Sequence, residues 1–369
     1  MGIISLYEKS DKLFFVGGIV RDELLGIKSN DIDLTYIGNA IDFVKNLDYE
    51  IIQADEKFGA IHIKVDDLTV DITSTRTEKY PIKGKLPVVD KIGCSLKEDV
   101  LRRDFTINAI AKNCKTGEIV DYVGGVEDLK NKKLRVLHKN SFIDDPTRII
   151  RGLKFAVRFG FELEEKTKKY QDDYLQNVNY DMSFKRLKDE LKDAFNLNRQ
   201  IILDKFVEQK MYKLLSDKDF YFYQKNVDTF IKPYLNEIKH IWLIYLGNFD
   251  LSNIPLTKTE KKILTDFEEM KPLKEFELYK KFKKSETESI LLYGLTVNKN
   301  AAKNYLDNLR KIKLHTNGKD IIKLGIEQSK LISNILEYIE KNKIKNPKLT
   351  KEEELGIAKK YLDKINSRE

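Results

Sequence analysis

Short apolar runs, each broken by glycine or by charge, fill the first third of the chain. "LFFVGGIV", "DIDLTYI", "GAIHIKV", "LTVDITS" and "GEIVDYVGG" carry the β-branched, aromatic and alternating character of strands. Between them, "VRDELLGI" and "NAIDFVKNL" space their apolar residues as helices do. The pattern changes after Asp144. "DDPTRIIRGLKFAVRFGF" repeats apolar residues at helical spacing, with Pro146 where a first helical turn tolerates it. "SFKRLKDELKDAFN" has Ser183 as a helix-start residue and the same period. From there onward strand signals vanish and Lys, Glu, Leu, Ile and Tyr dominate. The pattern predicts a mixed α/β unit followed by a helical remainder.

Composition narrows the class. The net charge is +8, with 34% charged residues, which favours a polyanionic partner. The two cysteines, Cys94 and Cys114, form no CxxC pair, and no cluster of histidines accompanies them, so a disulfide framework or zinc site is not expected. A reducing, cytoplasmic compartment is the expectation. "MGIISLYEKSDK" turns charged too soon for a signal peptide, and no apolar run is long enough to span a bilayer. Gly2 is followed by Leu6 where a myristoylation signal needs Ser or Thr. No membrane and no protein partner is expected.

The candidate chemistry begins at "FFVGGIVRDELLGIKSNDIDL". A strand that ends in Gly17–Gly18 lets the backbone approach a ligand closely. A helix starting directly afterward presents N–H groups suited to phosphate, and Arg21 in its first turn adds a charged fork. "DID" sets Asp31 and Asp33 on one face of a strand. Two carboxylates so close call for a cation, and Mg2+ takes oxygen ligands and serves in-line phosphoryl transfer. Alone, each fragment is also a turn, an ion pair or a strand end; in this order and spacing, they point to a nucleoside triphosphate beside metal ions.

"VGGIVRDELLG" with "DIDL" resembles the first motif of the class II tRNA nucleotidyltransferases, the CCA-adding enzymes and their bacterial poly(A) polymerase relatives. "EDVLRRDFTINAIA", "GEIVDYVGGVEDL", "DDPTRIIRGLKFAVRFGFELEEKT", "SFKRLKDEL" and "NGKDIIKLGI" resemble further segments of that family in order, while the stretch from 200 to 310 matches little beyond helical character. The resemblance implies an α+β N-terminal nucleotidyltransferase head of polymerase β-like fold, residues 1–138, followed by an all-α neck (139–198), body (199–290) and tail (291–369) that binds tRNA. It implies addition of CMP, CMP and AMP to the tRNA 3′ end from CTP and ATP, with Mg2+ held by Asp31 and Asp33 as catalytic residues. Partial specificities (CC-adding, A-adding or poly(A) polymerase) and a catalytically inactive RNA-binding protein are the alternatives. None of His62, His138, His240 and His315 precedes an Asp, so an added HD phosphohydrolase is not expected.

The resemblance also assigns nucleotide-binding residues. Gly17, Gly18 and Arg21 face the phosphates. Arg103 contacts phosphate or ribose with Asp104 beside it; Arg102 and Arg103 are expected to point apart, so that one reaches the ligand. Asn108 either braces that segment or binds. Asp145 and Arg148, with Arg151 and Lys154 further along the helix, are expected to act side by side as a protein-made base edge. Asp144 stands where many members carry Glu. Lys154 stands where many carry a third arginine, and it has no fork. Asp71, read at a strand end, is either a third carboxylate helper or a structural acid. "RTEKYPIKGKLPVVDKIGCSLKEDV" lacks periodicity and is read as a full-length mobile loop.

Overall fold

The computed structural model describes residues 3–28, 32–218, 225–326 and 329–366. Two compact units result, one of residues 1–223 with 248–255, the other of 224–247 with 256–369.

In the first unit nine strands form a sheet and a hairpin: β1 (Leu13–Val16), β2 (Asp33–Tyr36), β3 (Glu50–Asp55), β4 (Ala60–Val65), β5 (Leu68–Ser74), β6 (Arg76–Lys79), β7 (Val88–Ile92), β8 (Ile110–Asn113) and β9 (Ile119–Asp121). Seven make one sheet in the order β3-β4-β5-β2-β1-β8-β9. The β2–β5 pair is parallel and the others are antiparallel. Alternation decides the faces. Leu34, Ile61, Ile63, Val70 and Ile72 are buried in one cluster with Leu6 of α1 (Ile3–Tyr7), and with Ile41 and Val44 of the helix after β2 (Ala40–Lys45). Fully burying each such side chain contributes about 1.5–3 kcal/mol. On the other face, Phe14 and Val16 of β1 pack with Ala109, Ala111, Leu96 and Val100. β1 is thus covered on both sides, which places its C-terminal glycines firmly.

The helices of this unit are α1, α2 (Gly18–Leu24), α3 (Ala40–Lys45), α4 (Leu96–Leu101), α5 (Gly125–Lys130), α6 (Ser141–Asp144), α7 (Thr147–Phe159), α8 (Glu165–Gln176), α9 (Phe184–Ala194) and α10 (Arg199–Glu208). Ser95 and Glu98 form a capping box at the start of α4. α7 ends at Gly160, whose φ of 69° is the left-handed stop that glycine supplies.

Three local expectations change. β3 and β8 were not marked by the pattern. The segment read as an irregular loop is the β6–β7 hairpin, with a bulge between Thr77 and Glu78. Its strands are short, β6 is polar throughout and β7 buries none of its residues fully, so they lack an alternating signal. Its tip is tied down: Gly84 N–H donates to Asp144 O (3.0 Å), Ser183 N–H to Gly84 O (2.8 Å), and Lys83 Nζ lies 2.5 Å from Asp144. Asp71 sits in the middle of β5 rather than at a strand end.

The second unit is helical among its described residues. Trp242, Phe267, Phe282 and Tyr293 are buried in it, and Ile321, Ile335, Ile339 and Ala358 form a further core near its C-terminal end. There Lys343 and Glu354 form a buried ion pair at 2.7 Å. No described helix is long and apolar enough to cross a membrane.

Candidate active site

A cleft of about 450 Å³ opens in the first unit where β1, β2, α4, α7, α9 and the β6–β7 hairpin converge. Its back wall is the turn after β1. Gly17 adopts φ 73° and ψ −128°, a conformation open essentially to glycine, and a Cβ there would lie 3.1 Å from Arg103 Nη1. Asp33, the first residue of β2, is exposed and faces the same cleft. Asp31 lies outside the described residues. Asp71 is the register neighbour of Asp33 across the parallel β2–β5 pair, so their Cβ atoms share a face. Its carboxylate instead contacts His62 Nδ1 on β4, and it does not line the cleft.

Seven cations and four carboxylates line the cleft, the balance expected for a bound polyanion. The cations are braced. Arg21 is 5% exposed; it donates to Asp22 (2.8 Å) and to Asn108 Oδ1 (2.6 Å), and lies over the Phe155 and Phe159 rings. Burial lowers its pKa. Asn108 passes the link on, donating from Nδ2 to Asp104 Oδ1 (2.9 Å). Asp104 then accepts from Arg151 Nε (2.8 Å) and from the Phe105 N–H (2.8 Å), with Arg151 Nη2 at 2.6 Å. Burial works against its charge, but Arg151, Asn108 and the Phe105 N–H prevail and hold its pKa down at about 2. Lys154 lies 2.5 Å from Glu190 and 3.5 Å from Asp193 on α9.

The expectation that Arg102 and Arg103 point apart is corrected. Both line the cleft, and both reach back to Asp99: Arg102 at 2.9 Å and Arg103 at 3.0 Å. They sit at the end of α4, where residues three and four positions on from Asp99 lie over the same helical face. Burial opposes the Asp99 charge, yet Arg103 and Arg102 keep its pKa below the ordinary value.

At the far wall, Asp145 and Arg148 both line the cleft, but they do not pair through their side chains among the described residues. Asp145 follows α6 with an extended backbone and caps the first turn of α7, accepting from Thr147 N–H (3.2 Å) and Thr147 Oγ1 (2.6 Å). Its other oxygen accepts from Arg186 Nη2 on α9 (2.6 Å). Arg148 donates to Ser141 Oγ (2.6 Å), Arg102 O (3.1 Å) and Tyr80 OH (3.2 Å). Asp145 precedes the helix on which Arg148 and Arg151 are set, so each of the two side chains is braced by its own partners while both face the cleft.

Of the residues expected at the site, the structure gathers Gly17, Gly18, Arg21, Asp33, Arg103, Asp104, Asn108, Asp145, Arg148, Arg151 and Lys154 into this one cleft. The Poly A polymerase head domain matches residues 13–135, the segment that carries the glycine turn, Asp33 and Asp104. The A-adding tRNA nucleotidyltransferase of Aquifex aeolicus is 34% identical over 82% of the chain, which spans 41% of that relative's length. Over nearly its whole length the chain matches the solved structure of a CCA-adding enzyme with CTP (TM-score 0.79, 26% identity, 100% of this chain and 95% of that one). It likewise matches the Thermotoga maritima CCA-adding enzyme complexed with tRNA (TM-score 0.74, 26% identity, 97% and 95%). The chain belongs to the class II tRNA nucleotidyltransferase family. For a class II nucleotidyltransferase, the cleft has further lining residues that sequence reasoning did not single out: Tyr80, Pro87 and Glu78 of the hairpin region, Phe155, and Arg186. Arg186 carried a signal, standing four residues before Glu190 in "SFKRLKDEL", on the α9 side that meets Arg151 and Lys154. Tyr80 carried none, because its contact with Arg148 spans 68 residues of chain.

Proposed function

We propose that this chain extends the 3′ end of tRNA without a nucleic-acid template, transferring CMP, CMP and AMP from CTP and ATP. The observation that carries the reading is the convergence of a glycine turn, Asp33, a bank of guanidinium groups and the Asp145–Arg148 segment on one cleft. Gly17 and Gly18 admit the triphosphate closely, and Arg21 and Arg103 neutralise it. Asp145 accepts from the exocyclic amino group of the base while Arg148 donates to the neighbouring ring nitrogen. CTP and ATP share that donor–acceptor edge; UTP and GTP present its reverse. The tRNA 3′-hydroxyl oxygen bonds to the α-phosphorus, the α–β phosphoanhydride bond breaks, and pyrophosphate leaves.

Asp33 fits a magnesium site: its carboxylate is exposed in the cleft, oxygen donors suit the ion, and Mg2+ binds through one or two carboxylates with waters and substrate phosphates filling its shell. Asp31 would be the second ligand. Bound there, the ion would offset phosphate charge and acidify the attacking hydroxyl. The helical remainder, neck, body and tail, would hold the tRNA through its phosphates.

Addition of the terminal A alone is the second reading, favoured by the activity named for the Aquifex aeolicus relative. Calorimetric titration with the four nucleoside triphosphates tests base selection. CTP and ATP should bind within about tenfold of one another. UTP and GTP should bind at least ~100-fold more weakly, since each reversed contact leaves buried groups unpaired at about 1–3 kcal/mol. Equal affinity for all four would overturn the reading.

A further inference from the structure

We infer that Arg186 sets nucleotide discrimination by holding Asp145 as an oriented, charged acceptor, a positioning role that rests on the reading of the cleft given above. The Asp145 side chain is 5% exposed. One of its oxygens is spent on Thr147, and the other meets Arg186 Nη2 at 2.6 Å. Among the described residues Arg186 is the cation in ion-pair contact with it, Arg148 having turned its donors to Ser141, Tyr80 and Arg102 O. A buried carboxylate keeps its charge only beside a cation or in water. Charged, it accepts only, which suits the amino groups of CTP and ATP. Without Arg186 that oxygen loses its brace, and the carboxylate no longer holds the orientation that distinguishes the amino groups of CTP and ATP from the carbonyls of UTP and GTP.

Two further observations fit. Arg186 Nη1 is buried and has no hydrogen-bond partner among the described residues, so one edge of the guanidinium remains for a bound molecule. The same α9 face carries Glu190, which meets Arg151 and Lys154 of α7. The α7–α9 ion pairs thus fix where Arg186 stands relative to Asp145.

The test is single-nucleotide incorporation at a tRNA 3′ end by wild type, Arg186→Met and Arg186→Lys, with each of the four nucleotides, alongside CTP and UTP binding and thermal melting. Arg186→Met should lower the kcat/KM ratio of CTP over UTP at least ~10-fold, and Arg186→Lys, which keeps charge without the fork, should fall between. If Arg186→Met does not fold, the Lys variant carries the test with a loss of at least about threefold in the ratio. A ratio within about twofold of wild type in the folded variants, with all four nucleotides slowed alike, would overturn this inference alone. A wild-type chain with no preference for CTP in incorporation or binding would overturn the cleft reading along with it.

Discussion

Asp104→Asn removes the carboxylate that ties the floor of the cleft to α7. Asp104 is 8% exposed and gathers Arg151, Asn108 and the Phe105 N–H around it. Its pKa is held at about 2 against an ordinary 3.8. A depression of that size contributes about 2 kcal/mol of stability at neutral pH. The sign follows from the direction of the shift. A carboxylate more acidic in the folded than in the unfolded chain stabilises fully above its unfolded pKa, and the contribution is lost as pH falls through its folded value. Urea denaturation followed by circular dichroism, on wild type and variant, measures it. The single tryptophan, Trp242, lies in the second unit, so its fluorescence separates changes there. The gap between wild type and variant should be about 2 kcal/mol at pH 6 and roughly half that at pH 3. A gap that stays constant between those pH values, or one below about 0.5 kcal/mol at pH 6, would refute the ion-pair account of Asp104.

Asp33→Asn should lower incorporation by at least ~100-fold with the circular dichroism spectrum and melting temperature retained, because an exposed strand-end carboxylate contributes chemistry rather than packing; activity within about tenfold of wild type would remove the metal assignment. Gly17→Ala should cost about 1–3 kcal/mol in urea denaturation from its backbone conformation, and raise the KM for CTP by pressing on Arg103. Glu354→Gln should destabilise the second unit by about 3 kcal/mol, read by Trp242 fluorescence, since it leaves the Lys343 charge buried and unpaired.

The legibility of this chain follows the range of its interactions. β1 and the glycines after it were readable because an apolar run buried on both faces ends where only glycine fits the backbone. Arg148, Arg151 and Lys154 were readable because one helix spaces them. β3 was not: Ile51 and Ile52 are both exposed on an edge strand, so no buried face imprints alternation on "EIIQAD". The family resemblance supplied positions but not partners. Asp145 bonds to Arg186, 41 residues on, and Arg102 turns back to Asp99 beside Arg103. Asn108 joins Arg21 to Asp104 across the cleft wall, a bracing contact that 87 residues of chain separation hid, and it lines the cleft as well. Asp71 shares a face with Asp33, yet its carboxylate is engaged by His62, a contact that strand pairing alone determines.

The central claim is that one cleft adds both C and A to tRNA. It is tested most directly by incubating the chain and Mg2+ with tRNA ending before the CCA, with tRNA ending in CC, and with intact tRNA, giving CTP and ATP singly and together and resolving the products by length. The account predicts two added nucleotides on the first tRNA with CTP alone, three with both, one on the CC-ending tRNA with ATP, and none on intact tRNA. Extension of the CC-ending tRNA only, or continued addition of A to all three, would contradict it.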